Sequence, residues 1–411
     1  MRYGLLGEKL GHSFSKEIHE KLGLYEYELI ELSPAGLDVF LRKKDFSGVN
    51  VTIPYKQTVI PYLDEISERA ELIGAVNTIV NREGKLFGDN TDFSGMEALI
   101  KRTGLELSGR TVLIAGTGGT SKTARAVAET MGASRVIKMS RSGREDAVSY
   151  EEAYEKYSDA EILFNTTPAG MFPHPEGMPV DLGRLKNLQG VIDVVYNPLS
   201  TRLVREASER GIRAENGLYM LVAQAVFAAE DFTGMKFGRE CIDRIFSDIT
   251  FEKRNIVLTG MPSSGKSTIG KILSEKLGRE LIDTDSEIVK KAGRPITDIF
   301  STDGEKAFRD LESDTIAEVS GSTGRIISTG GGAVLREKNV DAMKMNGTVV
   351  FLDRPAEALL PSDDRPLADD YEKIHRLYSE RYPIYTAAAD VVLEVEGSPE
   401  HTAEKLLEKL K

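Results

Sequence analysis

The sequence predicts an α/β protein of two to three domains built around parallel sheets, and three observations carry that reading. First, Gly260-Met261-Pro262-Ser263-Ser264-Gly265-Lys266-Ser267-Thr268 fills every fixed position of G-x-x-x-x-G-K-[ST]. It lies between an apolar β-branched run, Asn255 to Thr259, and apolar residues at helical spacing from Ile269 to Leu277. Second, another strand, glycine loop and helix occur earlier, as Arg110 to Ala115, Gly116-Thr117-Gly118-Gly119-Thr120-Ser121 and Lys122 to Met131. Third, 411 residues are enough for two or three separate cores.

Composition narrows the function. A net charge of −12 argues against a nucleic-acid groove, so small molecules are the expected partners. Cys241 is the single cysteine and the five histidines lack ligand spacing, which leaves no cysteine metal cluster and no intrachain disulfide. The stretch Met1 to Leu10 lacks a basic segment followed by an apolar run, and no apolar stretch reaches membrane-spanning length. A cytoplasmic location with no membrane partner is expected.

Along the chain, Arg2 to Gly7 reads as a strand, and the polar loop Gly11-His12-Ser13-Phe14-Ser15 leads into a helix from Lys16 to Leu24. Ser13 and Ser15 share one side of an extended loop, and N-capping is the alternative role for Ser15. Gly48 to Ile53 reads as a strand stopped by Pro54, which places Lys56 just past a strand end, where α/β proteins hold ligands. Asn90, Thr91 and Asp92 precede a helix from Asp92 to Arg102 and would cap it. After the first glycine loop, strand Arg135 to Met139 ends in Ser140-Arg141-Ser142-Gly143-Arg144. Two arginines here suit a ribose 2′-phosphate, hence NADP rather than NAD, with a solvated turn as the alternative. Strands Glu161 to Phe164 and Gly190 to Val195, a helix Thr201 to Arg210, an apolar helix after Gly217 carrying the lone polar Gln224, and a helix Lys236 to Ile249 follow. Residues 250–253 form a short joint, and a further domain starts near Arg254.

In the second glycine loop, backbone N–H groups at a helix N-terminus suit phosphate oxygens. Lys266 can reach the β- and γ-phosphates, and the Ser267 hydroxyl can ligate Mg²⁺.

Residues 1 to about 250 resemble shikimate dehydrogenase. The resemblance rests on Ser13-Phe14-Ser15, Asn50-Val51-Thr52-Ile53-Pro54-Tyr55-Lys56, Gly74-Ala75-Val76-Asn77-Thr78, Asn90-Thr91-Asp92, Gly116-Thr117-Gly118-Gly119 and Gly217 to Gln224, in that order. It implies a substrate domain from residues 1–95 and 217–250, with an NADP-binding Rossmann domain, 96–216, between. It further implies reduction of 3-dehydroshikimate to shikimate, with Lys56 as acid/base paired to Asp92. Ser13, Ser15, Thr52, Asn77, Asp92, Tyr196 and Gln224 would hold the ring acid. Gly116, Thr117, Gly118, Gly119, Thr120, Ser140, Arg141, Arg144, Val194 and Gly217 would line the NADP(H) site.

From residue 254 on, the phosphate loop together with Leu281-Ile282-Asp283-Thr284-Asp285, Gly304 to Arg309 with Glu312, Ser328 to Ala333, Arg365-Pro366-Leu367 and Arg381-Tyr382-Pro383 is similar to shikimate kinase. That similarity implies a five-stranded parallel P-loop kinase using ATP and Mg²⁺, spanning residues 254–411. Asp285 would contact the phosphorylated hydroxyl and act with Lys266. Arg309 and Arg381 would clamp the substrate carboxylate, and Gly331 would approach the ring. Ser263, Ser264, Gly265, Lys266, Ser267, Thr268 and Arg365 would hold the nucleotide, with Ser267 and Asp283 on the metal. One departure is the acidic segment Glu357 to Arg365, which lacks the additional arginine that family members often carry before Arg-Pro-Leu. The joint reading is a bifunctional enzyme. Its alternatives are a shikimate- or quinate-sensing regulator on inactive scaffolds and an NAD-linked quinate/shikimate dehydrogenase.

Overall fold

The computed structural model describes residues 2–11, 14–143, 146–359 and 371–410. It divides into two compact units, Met1–Ile249 and Thr250–Lys411.

The first unit holds two sheets. One contains β1 (Tyr3–Gly7), β2 (Tyr27–Glu31), β3 (Gly48–Val51), β4 (Glu65–Ile66), β5 (Thr78–Arg82) and β6 (Lys85–Asp89), in the order β2-β1-β3-β5-β6-β4. β5 runs antiparallel to both β3 and β6, so this sheet is mixed. The β5–β6 hairpin turns through Glu83 and Gly84, both at positive φ, with Asn81 Oδ1 accepting from Gly84 N. The second sheet contains β7 (Thr111–Ala115), β8 (Arg135–Ser140), β9 (Ala147–Ser149), β10 (Ile162–Asn165), β11 (Gly190–Asp193) and β12 (Arg213–Glu215), in the order β12-β11-β10-β7-β8-β9. All its pairings are parallel. The run Thr-Val-Leu-Ile-Ala of β7 is buried at every position, as a strand covered on both faces requires. The chain leaves β7 toward β8 on one side and returns through β10 on the other, which opens a crevice above the carboxyl ends of β7 and β10.

Helices Thr91–Thr103 and Leu218–Thr233 pack closely between these sheets. Gly95 makes that possible: a Cβ there would lie 2.7 Å from the Met220 carbonyl and 2.9 Å from Gln224 Cβ. The contact brings the first turn of one helix, with Asp92, beside Gln224 on the other.

In the second unit, β13 (Asn255–Thr259), β14 (Leu281–Asp283), β15 (Ile326–Ser328), β16 (Gly347–Asp353) and β17 (Val391–Glu394) form the expected five-stranded sheet, order β14-β15-β13-β16-β17. Every pairing is parallel.

Several expected boundaries shift. The first helix is Ser15–Leu22, not Lys16 to Leu24, because Gly23 turns left-handed at φ 67° and ends it. Ser15 is a helix residue and not its cap. The helix expected from Asp92 begins at Thr91; Asn90 precedes it but makes no side-chain cap, since its amide donates to the Ala75 carbonyl instead. Residues 250–253, expected as a joint, are the last turn of helix Arg239–Lys253.

Candidate functional site

In the first unit, Ser15, Thr52, Lys56, Asn77, Asp92, Tyr196 and Gln224 line one cavity of about 420 Å³. Ser13 falls outside the described residues. Lys56 follows β3 and the turn at Pro54; its Nζ lies 2.6 Å from Asp92 Oδ2 in a partly buried ion pair. Asn77 is buried, and its Oδ1 accepts from Thr91 N and the hydroxyls of Thr78 and Thr91. What Asn77 offers the cavity is therefore its NH₂. Gln224 donates to the Leu221 carbonyl, which leaves its amide oxygen for a ligand hydroxyl. Burial pushes the Tyr196 phenol up, so it stays a neutral donor.

Two supports behind this cavity were not legible in the sequence. Asn50 also lines it and is fixed by Tyr27, whose hydroxyl donates to Asn50 Oδ1 at 2.7 Å, while Asn50 Nδ2 donates to Thr78 Oγ1. His19 stacks on Tyr27 at 3.9 Å, and burial drives its imidazole down to about 3, so it is a neutral packing group. On the other side, Arg69 joins the Asp89 carboxylate to the Ser94 hydroxyl, clamping the turn that carries Asp92. Burial and the Asp89 charge raise the adjacent Asp231 carboxyl to about 7.

Above the parallel sheet, the loop Gly116-Thr117-Gly118 runs into helix Gly119–Thr130, with Thr120 in its first turn. A Cβ on Gly118 or Gly119 would meet nothing within 4 Å, so the backbone faces open space. Ser121 stands where a dinucleotide loop prefers glycine or alanine. It is buried, and its hydroxyl turns back to the Gly118 carbonyl at 2.6 Å, so it closes the loop instead of obstructing it. Ser140 ends β8, and its buried Oγ has no hydrogen-bond partner among the described residues; Arg141 is exposed just beyond. Val194, just past β11, and Gly217, just past β12, are in close contact: a Cβ on Gly217 would lie 2.1 Å from the Val194 carbonyl oxygen. Arg144 falls outside the described residues.

At the base of this crevice, Asp193 is fully buried and accepts from Asn165 Nδ2, Val195 N and the Thr201 hydroxyl. Asn165 in turn accepts from Thr167 N and its hydroxyl, so one carboxyl ties together the loops after β10 and β11. Burial pushes Asp193 up to about 6 despite those donors. A raised carboxyl favours the folded state fully below the unfolded value, and that advantage is lost as pH rises through about 6. Asp193→Asn keeps the shape and removes the titration. The wild type's stability relative to Asp193→Asn is therefore expected to fall by on the order of 2–3 kcal/mol between pH 4 and pH 7. Urea unfolding of both proteins across that range measures it.

In the second unit, Ser263, Gly265, Lys266, Ser267, Thr268, Asp283, Asp285, Arg309, Gly331 and Arg381 line a cavity of about 760 Å³. Gly260 sits at φ 143° with its missing Cβ 2.8 Å from the Leu352 carbonyl, and Ser263 is left-handed at φ 64°. That path curls the loop over the N-terminus of helix Lys266–Leu277. Ser264 is buried behind it, its N–H donating to the Met261 carbonyl, so it shapes the loop. Ser267 Oγ and Asp283 Oδ2 lie 3.4 Å apart; Asp283 Oδ1 caps the following helix at Ser286 N, so each Asp283 oxygen has its own task. Arg309 pairs with Glu312 at 2.8 Å. Arg381 Nη1 and the Tyr385 hydroxyl both donate to the Gly331 carbonyl, which fixes this stretch of backbone on the cavity wall. Arg365 falls outside the described residues.

Glu312 is the residue whose importance sequence reasoning did not grade. It is almost wholly buried, one oxygen holds Arg309, and the other, Oε1, has no partner among the described residues. A Cβ on Gly330 would lie 2.5 Å from Asp285 Oδ1 and 3.2 Å from that oxygen, so both carboxyls approach the same spot on the cavity wall. Burial raises Glu312, and Arg309 opposes the rise.

Residues 5–79 match the family model for the shikimate dehydrogenase substrate binding domain, and residues 262–411 match that for shikimate kinase. The chain is 34% identical over 283 residues to a shikimate dehydrogenase (NADP(+)) of Clostridium perfringens, covering 60% of this chain and 97% of that protein. The chain belongs to the shikimate dehydrogenase family.

In the same chain the dehydrogenase unit is joined to a shikimate kinase domain. Solved structures agree for the dehydrogenase part. A chorismate mutase/shikimate 5-dehydrogenase fusion protein from Clostridium acetobutylicum matches with a TM-score of 0.56 at 33% identity, covering 60% of this chain and 96% of that one. A shikimate 5-dehydrogenase from Thermus thermophilus, solved in complex with NADP(H) and shikimate, matches with a TM-score of 0.54 at 31% identity, covering 60% and 99%. Among the described residues, no helix of the dehydrogenase unit or the kinase domain is long and apolar enough to cross a membrane.

Proposed function

We propose that this chain is a bifunctional, cytoplasmic enzyme of the shikimate pathway of aromatic amino acid biosynthesis. One unit reduces 3-dehydroshikimate to shikimate with NADPH, and the other phosphorylates shikimate to shikimate 3-phosphate with MgATP. The observation that carries the reading is the pair of cavities, one built around the Lys56–Asp92 ion pair and the other around the phosphate loop with Asp285 and two arginines.

For the reduction, bound NADPH supplies the hydride. Charge then builds on the former carbonyl oxygen, and the Lys56 ammonium donates the proton that completes the alcohol. Asp92 orients that ammonium through the ion pair. Ser15, Thr52, Asn77, Tyr196 and Gln224 hold hydroxyls and carboxylate, and Ser13 completes the set. The glycine loop, Val194 and Gly217 suit the dinucleotide. The Ser140 hydroxyl, unpartnered among the described residues, and Arg141 suit its 2′-phosphate, and Arg144 is assigned to the same group.

For the phosphorylation, bound MgATP supplies the phosphoryl group. The loop Ser263 to Thr268 positions its phosphates, and Ser267 and Asp283 present a hydroxyl and a carboxylate oxygen to Mg²⁺. Asp285 accepts the hydroxyl proton, Arg309 and Arg381 clamp the carboxylate, and Gly331 N–H meets the ring. The domain bounds we propose are 1–95 with 217–250 for the substrate domain, 96–216 for the dinucleotide domain and 254–411 for the kinase.

Nucleotide choice is testable. Arg141→Asp places a carboxylate where the 2′-phosphate would lie. It is expected to lower kcat/KM for NADPH by about tenfold or more and to leave NADH use unchanged or improved. Equal losses with both nucleotides would contradict the assignment of Arg141. Formation of ADP from ATP and shikimate, with no 3-dehydroshikimate reduction by either nucleotide, would contradict the dehydrogenase reading.

A further inference from the structure

The kinase cavity is lined by four cationic side chains, Lys266, Arg309, Arg354 and Arg381. Three of them are already engaged within the chain. Lys266 Nζ donates to the Gly260 and Met261 carbonyls at 2.9 and 2.8 Å. Arg309 pairs with Glu312, and Arg381 donates to the Gly331 carbonyl. Arg354 has no hydrogen bond or ion pair among the described residues, although it is only partly exposed. The neighbouring Asp353 does not neutralise it directly, because its two oxygens accept from the Tyr378 and Tyr382 hydroxyls.

Its place in the sheet says what it faces. β16 pairs with β13 in parallel, and Phe351 is level with Thr259. Three residues on, Arg354 leaves the sheet beside the strand end from which Pro262, three residues past Thr259, enters the phosphate loop. Pro262 in turn abuts Gly331, whose missing Cβ would lie 3.2 Å from the proline ring. Arg354 thus lines the cavity together with the phosphate loop and the wall that carries Gly331 and Arg381. In a kinase the boundary between that loop and that wall is where the transferred group passes from donor to acceptor.

We propose, resting on the kinase reading above, that Arg354 is a further catalytic residue that binds the terminal phosphoryl group of the nucleotide. Phosphoryl transfer spreads charge over three equatorial oxygens, and stabilising that charge is most of what a protein contributes. A guanidinium fork fits two of those oxygens at once, and an arginine without an internal partner sacrifices no bond to make the contact. The bond broken is the one from the β,γ-bridging oxygen to the terminal phosphorus. The bond formed joins that phosphorus to the substrate hydroxyl oxygen, whose proton goes to Asp285. Arg354 transfers nothing in this exchange.

The test uses the full chain with Arg354→Ala and Arg354→Lys. Steady-state kinetics of shikimate phosphorylation are combined with calorimetric binding of ADP and of the β,γ-imido analogue of ATP. Arg354→Ala is expected to lower kcat by about 10²-fold and the affinity for the imido analogue by about tenfold, with ADP affinity and the KM for shikimate unchanged. Arg354→Lys is expected to keep part of the rate, and added guanidinium ion to restore part of it to Arg354→Ala. Unchanged ADP affinity in each variant reports an intact kinase domain, and an unchanged rate of 3-dehydroshikimate reduction an intact dehydrogenase unit. A kcat within twofold of wild type, equal losses of ADP and analogue affinity, or a raised KM for shikimate would each overturn the proposal. A wild-type chain that formed no ADP from ATP and shikimate would overturn the kinase reading and this inference with it.

Discussion

Lys56→Ala is expected to lower kcat for 3-dehydroshikimate reduction by about 10²–10⁴-fold, the range typical of losing a general acid. The ammonium sits 2.6 Å from Asp92 in a cavity whose other polar groups are hydrogen-bonded into the frame around it. None of those neighbours replaces the ammonium as proton source: Asn77 and Gln224 are amides, and burial pushes the Tyr196 phenol up, which makes it a weaker acid. Lysine's own contribution is therefore not duplicated. The substitution also leaves Asp92 without its partner, so some loss of substrate affinity will accompany the loss of rate. ATP-dependent phosphorylation of shikimate by the same protein is expected to stay within twofold of wild type. Stopped-flow measurement of NADPH oxidation, beside an ADP-release assay on the same preparation, checks both statements.

Lys266→Ala is expected to show the opposite pattern. Loss of a cation that meets the transferring phosphates should lower kcat for shikimate phosphorylation by about 10²–10³-fold, with 3-dehydroshikimate reduction unaffected. In the present geometry Nζ is held by two carbonyls of its own loop, Gly260 and Met261. Those bonds keep a buried ammonium satisfied until phosphate oxygens replace them. The variant should therefore bind nucleotide more weakly as well as turn over more slowly, and fluorescence titration with an ATP analogue separates the two effects. A kcat for phosphorylation within threefold of wild type would remove Lys266 from the mechanism.

The two sites differed in how far the sequence exposed them, and the difference is one of distance along the chain. The phosphate loop is local. A buried strand, a glycine loop and a helix within about two dozen residues state their own geometry, and the expected strand Asn255–Thr259 is the one observed. The Lys56–Asp92 pair spans 36 positions, and no periodicity could join them. Only resemblance to a family did so. The closeness of Asp92 to Gln224 depends on Gly95, a glycine in mid-helix that the reading along the chain passed over. Residue type alone makes Ser15 and Asn90 candidate helix caps, and only the family resemblance puts Ser15 on the substrate. In the fold, Ser15 faces a cavity, and Asn90 holds the Ala75 carbonyl. The antiparallel β5–β6 hairpin was not assigned, because its turn at Glu83-Gly84 lacks the Asn-Gly or Asp-Gly pair that advertises such turns. Glu312 and Arg354 gained meaning only from what surrounds them, one as a buried acceptor with a free oxygen, the other as a cation with no partner among the described residues.

The central claim is that one chain carries two successive chemistries on the same ring acid. Its most direct test is a single-vessel reaction of the purified full chain with 3-dehydroshikimate, NADPH, ATP and Mg²⁺, followed by simultaneous measurement of NADPH consumed and ADP formed. ADP is predicted to appear after a lag and to approach one equivalent per NADPH oxidised, with none formed when NADPH is withheld. NADPH oxidation without subsequent ADP, or ADP formed from 3-dehydroshikimate in the absence of NADPH, would contradict the account.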